Sequence, residues 1–345
     1  MIMYNGEIIN GVVVFVDSNI LMVAKGYTLY KYDVVSKKYT MFSRLKYPFY
    51  WFIASCFKVS RRLLRAEITH MYHLKNGMWI CIAKKALYKY NKANGLFEVC
   101  HVIEKGSRPM NLCQANNGTI YYGEYCYNPE HKQMSIYQSK DNGDTWNVAY
   151  TFAEGEINHI HGVFNDPYTN RLWVATGDDD KSCIFGYTED GFKTFVRQYN
   201  GSQQYRICAP MFTKDEIIFA TDSQYEQNYI RSINRRTGEV KNIQPIQGSG
   251  IYAVQNGNLM MVSTTVEPSN VNVDQFSHLW YSFDGHTWKE YVAFKKDFLP
   301  KVYFQFGSIR FPYYEKESEY VVFSGRALKG MDGKSMIVPI KELLV

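Results

Sequence analysis

Hydrophobic and polar residues alternate in short runs that recur along the chain. The clearest runs are LYKYD (29–33), LYKYN (87–91), SIYQS (135–139), IFGYT (184–188), IRSIN (230–234) and LWYSF (279–283). Alternation with a period of two predicts β-strands that bury one face. The starts of successive runs are separated by 58, 48, 49, 46 and 49 residues. This near-constant spacing predicts a repeated structural unit.

Each run lies inside a larger unit of strands and turns. A turn and another short strand follow it, and most runs are preceded by a hairpin with turn signals such as KNG (75–77), NNG (116–118) and NGN (256–258). About four strands in about 45–50 residues are typical of a β-propeller blade. Six units are clear, and a seventh covers about 303–340. We therefore expect an all-β, seven-bladed β-propeller that forms a single domain over 1–345. Residues 1–9 are expected to pair with the last blade and close the ring.

Residues 46–66, KYPFYWFIASCFKVSRRLLRA, interrupt the strand pattern. A helical wheel places Lys58, Arg61, Arg62 and Arg65 on one side and apolar residues on another, which predicts one amphipathic helix over about 49–66. Two interpretations stay open. The helix could bind a membrane surface or a protein partner, or it could pack on the propeller and leave a solvated basic edge.

Composition narrows the class of protein further. The net charge is +6, and residues 46–66 alone supply five positive charges, so a nucleic-acid-binding surface is not expected. The seven cysteines include no CxxC pair, which favours reduced thiols. The N-terminus has no basic segment before an apolar run, and no apolar run is long enough to span a membrane. We expect a cytoplasmic protein, with peripheral membrane contact through 46–66 as an option.

Three related segments occur between the third and fourth predicted strands of their units: SKDNGDTW (139–146), TEDGFKTF (188–195) and SFDGHTW (282–288). They resemble the Asp-box, or BNR repeat, of sialidase-superfamily propellers. The resemblance implies that each aspartate accepts backbone N–H bonds in a turn, that the glycine has a positive φ, and that the turn lies away from the catalytic face. Asp141, Asp190 and Asp284 are therefore expected to be structural.

Propeller topology predicts where a site would form. The starts of the first strands and the loops after the second strands of successive blades converge on one face, where ligands bind. Residues at these positions are polar and differ from blade to blade. The expected catalytic residues are His159, His161, Arg206, Tyr252 and Asp178. The expected substrate-binding residues are His70, Arg108, Asn111, Glu124, Asp222, Glu267 and Gln305.

Two of these assignments have alternatives. His159 and His161 are two residues apart and share a strand face, as an acid–base pair or a metal-binding pair would. The sequence identifies no third ligand, so no cofactor is expected, and a divalent metal at this pair remains an alternative. Arg206 could bind a substrate carboxylate or form an ion pair with Asp178 or Asp222.

The residue types indicate chemistry on an acidic glycan. Hydrolysis would use two carboxyl groups, or a carboxyl group and a tyrosine. β-Elimination from a uronide would use an arginine to neutralise the substrate carboxylate and a histidine or tyrosine as the base. We expect a polysaccharide lyase or glycoside hydrolase. The alternative is a non-catalytic propeller that binds a glycan or a protein partner.

Overall fold

β-Strands dominate the structure, a computed structural model that describes residues 6–344. A meander of antiparallel strands begins the chain and is followed by a helical segment. These elements are β1 (Glu7–Asn10), β2 (Val12–Asp17), β3 (Ile20–Lys25), β4 (Thr28–Asp33), β5 (Lys38–Arg44), α1 (Phe49–Cys56) and α2 (Lys58–Leu64).

Four separate four-stranded antiparallel sheets follow, each built from consecutive strands. The first contains β6 (His70–His73), β7 (Trp79–Ala83), β8 (Ala86–Asn91) and β9 (Leu96–Val102). The second contains β10 (Cys113–Gln114), β11 (Ile120–Gly123), β12 (Met134–Ser139) and β13 (Asn147–Phe152). The third contains β14 (His159–Asn165), β15 (Leu172–Gly177), β16 (Ile184–Thr188) and β17 (Val196–Asn200). The fourth contains β18 (Met211–Phe212), β19 (Glu216–Ala220), β20 (Asn228–Asn234) and β21 (Val240–Ile246).

The remaining strands belong to one large sheet, apart from one short strand that joins the first meander. They are β22 (Ser249–Asn256), β23 (Leu259–Val266), β24 (Phe276–Ser282), β25 (Lys289–Lys295), β26 (Gly307–Arg310), β27 (Tyr313–Tyr314), β28 (Tyr320–Arg326) and β29 (Lys334–Pro339), with α3 (Lys301–Phe304) before β26. β27 pairs with β2, and the other seven strands form an eight-stranded sheet with β1.

The prediction of seven separate blades was wrong. Five sheets are separate and blade-like, and the last two predicted units are merged in the eight-stranded sheet. The cause is the length of β23, which continues past its pairing with β24 so that Thr265 and Val266 pair with Ser308 and Gly307 of β26. Turn spacing reports the hairpins within a unit, whereas this lateral pairing joins residues about forty positions apart, beyond the reach of local pattern.

Backbone pairing joins the beginning of the chain to its end. β1 pairs with β29, from Glu7 opposite Ile337 to Asn10 opposite Lys334. β27 pairs in parallel with β2, with Phe15 opposite Tyr313. The first and last sheets are therefore in contact, and the order of sheets is closed. Residues 1–5 of the predicted closing strand lie outside the described residues.

Apolar residues of neighbouring sheets pack into shared cores. One core combines Tyr121 and Ile136 of the second four-stranded sheet with Ile160, Val163 and Val174 of the third. A meander that exposes one apolar face is stable only when the next sheet covers it. The repeat predicted from the sequence thus corresponds to a series of sheets that bury one another's faces.

The single helix predicted over 49–66 was also wrong in its extent and in its orientation. Phe57 has an extended backbone and separates α1 from α2. Arg62 is fully buried and forms an ion pair with Asp297, and Arg61 donates to Glu67 at 2.7 Å and to Asp332 at 2.9 Å. Part of the predicted basic edge therefore faces acidic residues of the propeller. Among residues 6–344, no helix is both long and apolar enough to cross a bilayer.

We predict that Arg62→Ala lowers the free energy of unfolding by about 3–5 kcal/mol, because it removes the buried guanidinium that pairs with Asp297 and donates to the carbonyl oxygen of Phe304. Lys58→Ala is the matched control, since Lys58 is exposed and its nitrogen lies 3.6 Å from the same carboxylate. Lys58→Ala should lower the free energy of unfolding by less than about 1 kcal/mol. Urea denaturation of both variants measures the difference, and equal losses would contradict the structural role assigned to Arg62.

Candidate functional site

Two histidines on β14 approach each other inside the propeller. His159 and His161 are both buried, and their Nε2 atoms lie 3.1 Å apart. The pairing of β14 with β15 shifts register between Ile160 and Gly162, so His161 is the extra residue of a β-bulge. A bulge re-aims side chains relative to a regular strand. The arrangement depends on this local irregularity as well as on the two-residue spacing.

Backbone carbonyl groups fix the orientation of both rings. His159 Nδ1 lies 3.2 Å from the carbonyl oxygen of Cys126, and His161 Nδ1 lies 2.8 Å from that of Ile207. A carbonyl oxygen only accepts, so each Nδ1 must carry the hydrogen. Both Nε2 atoms therefore point at the same space. Burial, and next the neighbouring His159, lower the pKa of His161 to about 3, which keeps that ring neutral.

Asp178 and Arg206 complete the arrangement around the histidines. Asp178 follows directly after β15, and its Oδ1 lies 3.4 Å from His159 Nε2. Arg206 Nη2 donates to the same oxygen at 2.7 Å and lies 3.4 Å from Asp222 Oδ2. Of the two alternatives for Arg206, the structure shows the ion pair. We call His159, His161, Asp178, Arg206 and Asp222 the central cluster.

Burial and charge in the central cluster shift the pKa values of its two acids in opposite directions: the pKa of Asp178 is lowered and that of Asp222 is raised. Burial alone would raise the pKa of Asp178, but the hydrogen bond and charge of His159, with the charge of Arg206, hold it well below its usual range. Asp222 is fully buried, and burial raises its pKa despite the opposing charge of Arg206. Arg206 keeps a raised pKa although it is buried, because both carboxylates favour its cation.

Gly177 allows the close packing of the His161 ring. A Cβ atom at this position would lie 2.5 Å from His161 Cε1, which is closer than any side chain tolerates. The segment ATGDDD (175–180) thus combines a glycine that makes room for the ring with the aspartate that faces it. The sequence analysis selected Asp178 from this segment but missed the role of the glycine.

Glu267 lies at the end of β23, at the position equivalent to Asp178 and Asp222 in its own unit. It accepts a hydrogen bond from Gln224 Nε2 at 2.8 Å. Burial, together with the negative charge of Asp222, raises the pKa of Glu267 to about 7. A carboxyl group of this kind can both donate and accept a proton near neutral pH.

Two arginines form a second part of the site, next to Tyr252. Arg310 stacks over the Tyr252 ring at 4.9 Å, and burial followed by the Arg310 charge lowers the pKa of Arg108 to about 9. Within residues 6–344, neither arginine forms an ion pair, and Arg108 Nη1 is buried without a hydrogen-bond partner. We call Arg108 and Arg310 the arginine pair. Burial and the charges of this pair also lower the pKa of His70 to about 3.

Tyr125 connects the arginine pair to the central cluster. Its ring centroid lies 4.5 Å from that of His159. Burial raises its pKa well above the usual value, with further contributions from Asp222 and Asp178. Tyr252 and Tyr125 in turn act to raise the pKa of Arg108, against the larger effects of burial and Arg310. The two groups of residues therefore share one electrostatic environment.

Three predicted binding residues, Glu124, Gln305 and Asn111, use their side chains in hydrogen bonds to the backbone. The loop after β11 turns Glu124 toward its own sheet, where it accepts from Ser135 N at 2.8 Å and lies 3.5 Å from Lys105 Nζ. Gln305 donates to the carbonyl oxygen of Arg62 at 3.1 Å. Asn111 donates to the carbonyl oxygen of Val163 at 2.9 Å. The positions are equivalent in the repeat, but hydrogen bonds to backbone groups eleven or more residues away in the sequence direct these side chains.

Three residues of the site were missed by the sequence analysis: Tyr125, Cys208 and Arg310. Arg310 is the last residue of β26. The phase of this strand was recognisable from the sequence, but Gln305, which precedes the strand, was selected instead. Cys208 Sγ donates to Asp222 Oδ2 at 3.4 Å. All seven cysteines are free thiols, and four of them are buried.

Among residues 6–344, two sets of side chains have donor atoms close enough to hold a metal ion. The first is His159, His161 and Asp178, and the second is His161, Cys208 and Asp222; in each set the donor atoms lie within 4.8 Å of one another. Beside the first set, a surface groove of about 510 Å³ is lined by Asp179, Gln203 and Tyr225 among others. Gln203 Nε2 donates to the Asp178 carbonyl oxygen at 2.9 Å, so groove and cluster adjoin.

Comparison with known proteins identifies the fold. No protein-family model matches the chain, and no curated protein matches it. Solved β-propellers do match. An oligogalacturonate lyase in complex with manganese superposes with a TM-score of 0.60 at 7% identity, covering 99% of this chain and 100% of the lyase. The WD40 β-propeller domain of Doa1 gives a TM-score of 0.57 at 9% identity, covering 98% and 97%.

The chain has a β-propeller fold. A GH74 enzyme of Niastella koreensis is a further similar structure, with a TM-score of 0.54 at 16% identity. The match covers 84% of this chain and 46% of the enzyme, so the chain spans about half of that protein's length. The predicted propeller class is thus supported, while the blade count is corrected as described above. At these identities the likeness establishes fold alone.

We predict that Glu267 makes stability depend on pH. Glu267 retains its proton up to about pH 7 in the folded protein, because its pKa is raised to about 7, whereas it loses the proton near the ordinary glutamate pKa of 4.5 in the unfolded chain. The group therefore lowers the free energy of unfolding as pH rises through this window. Glu267→Gln should match wild type near pH 4.5 and exceed it at pH 8 by on the order of 2 kcal/mol. Urea denaturation at both pH values measures this, with the exposed Glu154→Gln as control. If the free energies of unfolding of Glu267→Gln and wild type differ by the same amount at both pH values, the prediction is contradicted.

Proposed function

We propose that this β-propeller acts on an acidic glycan, with β-elimination from a uronide as its reaction. The observation that supports this most directly is the arginine pair. Two neighbouring guanidinium groups without a carboxylate partner raise the free energy of the unliganded site. A bound carboxylate would relieve this repulsion and accept charge-assisted hydrogen bonds. A uronic acid residue supplies such a group beside the bond to be broken.

Elimination needs a proton-transfer group as well as charge neutralisation. In the proposed reaction a base removes the C5 proton, the C4–O bond breaks, a C4–C5 double bond forms, and the leaving oxygen receives a proton. Neutralising the carboxylate stabilises the charge that develops in the transition state. We assign proton transfer to Glu267, whose pKa of about 7 suits both directions. Tyr252, over which Arg310 stacks at 4.9 Å, would contact the sugar beside the arginine pair.

Two of the similar structures are carbohydrate-active by name: an oligogalacturonate lyase and a GH74 enzyme. They support a carbohydrate-active role for this fold without identifying the substrate of this chain. Another β-propeller with a comparable TM-score, the WD40 domain of Doa1, is not carbohydrate-active by name. The proposal therefore depends on the arginine pair and Glu267, and hydrolysis remains the second reaction to test.

We also propose that the three boxes are true Asp-box turns. Asp141 accepts from the Thr145 amide at 2.8 Å, and Asp284 accepts from the Thr287 amide at 2.7 Å. Trp288 Nε1 donates to the Gly285 carbonyl oxygen at 2.9 Å, and Gly285 has a φ of +77°. This hydrogen-bonding supports a structural role, because each carboxylate is used within its own turn.

The decisive experiment is incubation with a panel of acidic and neutral polysaccharides, following chain length and ultraviolet absorbance. We expect shortening of an acidic glycan with new absorbance from the double bond. Arg108→Met should reduce the rate by about 10²–10³-fold, because it removes charge stabilisation but keeps the side-chain length. The control is Arg236→Met, since Arg236 is exposed in a turn.

Each result of that experiment has a defined meaning. Shortening without absorbance would replace elimination by hydrolysis. Binding without shortening, lost in Arg108→Met and kept in Arg236→Met, would establish a glycan-binding propeller instead. Equal action on neutral glycans, or equal rates in the two variants, would overturn the role of the arginine pair.

The helical segment supports a second role at a lipid surface. The exposed side of α1 and the following turn is apolar, with Phe49 75% and Phe57 65% exposed. Val59 and Leu63 on α2 are also exposed. Lys58 keeps half of its side chain in solvent close to this surface. Exposed apolar side chains beside a half-exposed lysine suit the interface of an anionic bilayer.

We predict that the protein binds vesicles containing anionic lipid. The double substitution Phe49→Ser with Phe57→Ser should weaken this binding at least about tenfold, because each serine removes apolar area that the bilayer would bury. Flotation with neutral and anionic vesicles measures it. The control combines Val35→Ser with Tyr127→Ser, two exposed residues outside the helices. Absence of binding to anionic vesicles would favour a protein partner for this surface.

A further inference from the structure

We propose that His159, His161 and Asp178 bind a divalent transition-metal ion through His159 Nε2, His161 Nε2 and Asp178 Oδ1. The inference concerns a metal site and does not depend on which glycan, if any, the protein uses.

The hydrogen bonds leave three lone pairs directed at one point. Each Nδ1 donates to a backbone carbonyl oxygen, of Cys126 or of Ile207, so Nε2 is the ring nitrogen left to bind a ligand in both residues. These two atoms face each other at 3.1 Å, and Asp178 Oδ1 lies 3.4 Å from the first. Three acceptors at such distances repel one another unless a cation lies between them. The cation is either a shared proton or a metal ion.

The distances fit a metal ion. Ligand atoms about 2.0–2.1 Å from a metal, at tetrahedral or octahedral angles, are roughly 2.9–3.4 Å from one another. The His159–His161 and His159–Asp178 distances of 3.1 and 3.4 Å fall in this range. The His161–Asp178 distance of 4.0 Å needs only a small rotation of the carboxylate.

The surrounding residues resemble the outer sphere of a metal centre. Metal-binding histidines typically donate their second N–H to a carbonyl or carboxylate oxygen, as both rings do here. Asp178 is oriented by Arg206 Nη2 at 2.7 Å. Its side chain is 32% exposed, so an ion can reach the site from solvent. Three protein ligands would leave further coordination positions open.

The second candidate set fits less well. His161, Cys208 and Asp222 are all buried, and the Cys208 thiol already donates its hydrogen to Asp222. Binding there would require loss of that proton in a site without exposed atoms. Two imidazoles and one carboxylate, by contrast, are ligands suited to Zn²⁺, Mn²⁺, Fe²⁺ or Co²⁺. We assign the site to this class of ion.

The test uses the full chain after treatment with a chelator, titrated with Zn²⁺ and with Mn²⁺ by calorimetry. We expect one equivalent to bind, and His159→Gln and Asp178→Asn to weaken binding at least about tenfold. The matched control is His278→Gln, because His278 also contacts two carboxylates, Asp274 at 3.1 Å and Glu290 at 2.8 Å, but has no second imidazole. It should bind like wild type.

A second measurement covers variants that fail to fold. Co²⁺ added to the wild-type protein should give visible absorption bands of a nitrogen- and oxygen-ligated ion. Their absence, together with zero stoichiometry in the folded wild-type protein, would overturn the proposal in favour of a shared proton. Equal affinity in His159→Gln and His278→Gln would also overturn it. Neither readout uses a glycan, so failure here is distinct from failure of the proposed function.

Discussion

The buried guanidinium of Arg206 is the interaction on which the site depends. It follows a short 3₁₀ turn at Gln203–Tyr205 and contacts carboxylates that come from two different sheets, Asp178 after β15 and Asp222 after β19. Without this cation, two carboxylates and two imidazoles could not share one buried region. The same contact orients Asp178 toward His159. One ion pair therefore joins two blades and also defines the geometry of the central cluster.

The helical segment is likewise held by ion pairs between arginines and carboxylates. Arg61 and Arg62 neutralise acidic residues of the last sheet and of the strand-connecting loops, so the segment is attached to the propeller through buried ion pairs. The attachment turns Arg61 and Arg62 inward and leaves Phe49 and Phe57 exposed. This is the reverse of what the net charge of residues 46–66 suggests on its own. The exposed apolar surface is a consequence of where the counter-charges lie.

Charge is distributed unequally between the two parts of the site. The central cluster contains its own counter-charges, and its arginine is paired with two carboxylates. The arginine pair has none among residues 6–344, and burial together with the charge of Arg310 lowers the pKa of Arg108. An internally balanced cluster is suited to hold position, while an unbalanced one is suited to bind a ligand of opposite charge. This contrast separates residues that build the site from residues that would contact a substrate.

The alternation of residues determined the strands, the repeated unit and the approximate phase of the site. That phase correctly located Asp178, Asp222 and Glu267 after the second strands of their units, because local turn chemistry fixes where a strand ends. It could not show that Glu124, at the same phase, turns to Ser135, or that Gln305 contacts Arg62. Nor could it show that β23 pairs with β26 and merges two units.

Those outcomes depend on contacts between residues far apart in the sequence. A local pattern reports the face on which a side chain lies, but only the packed structure decides which charges and hydrogen-bond partners meet it there.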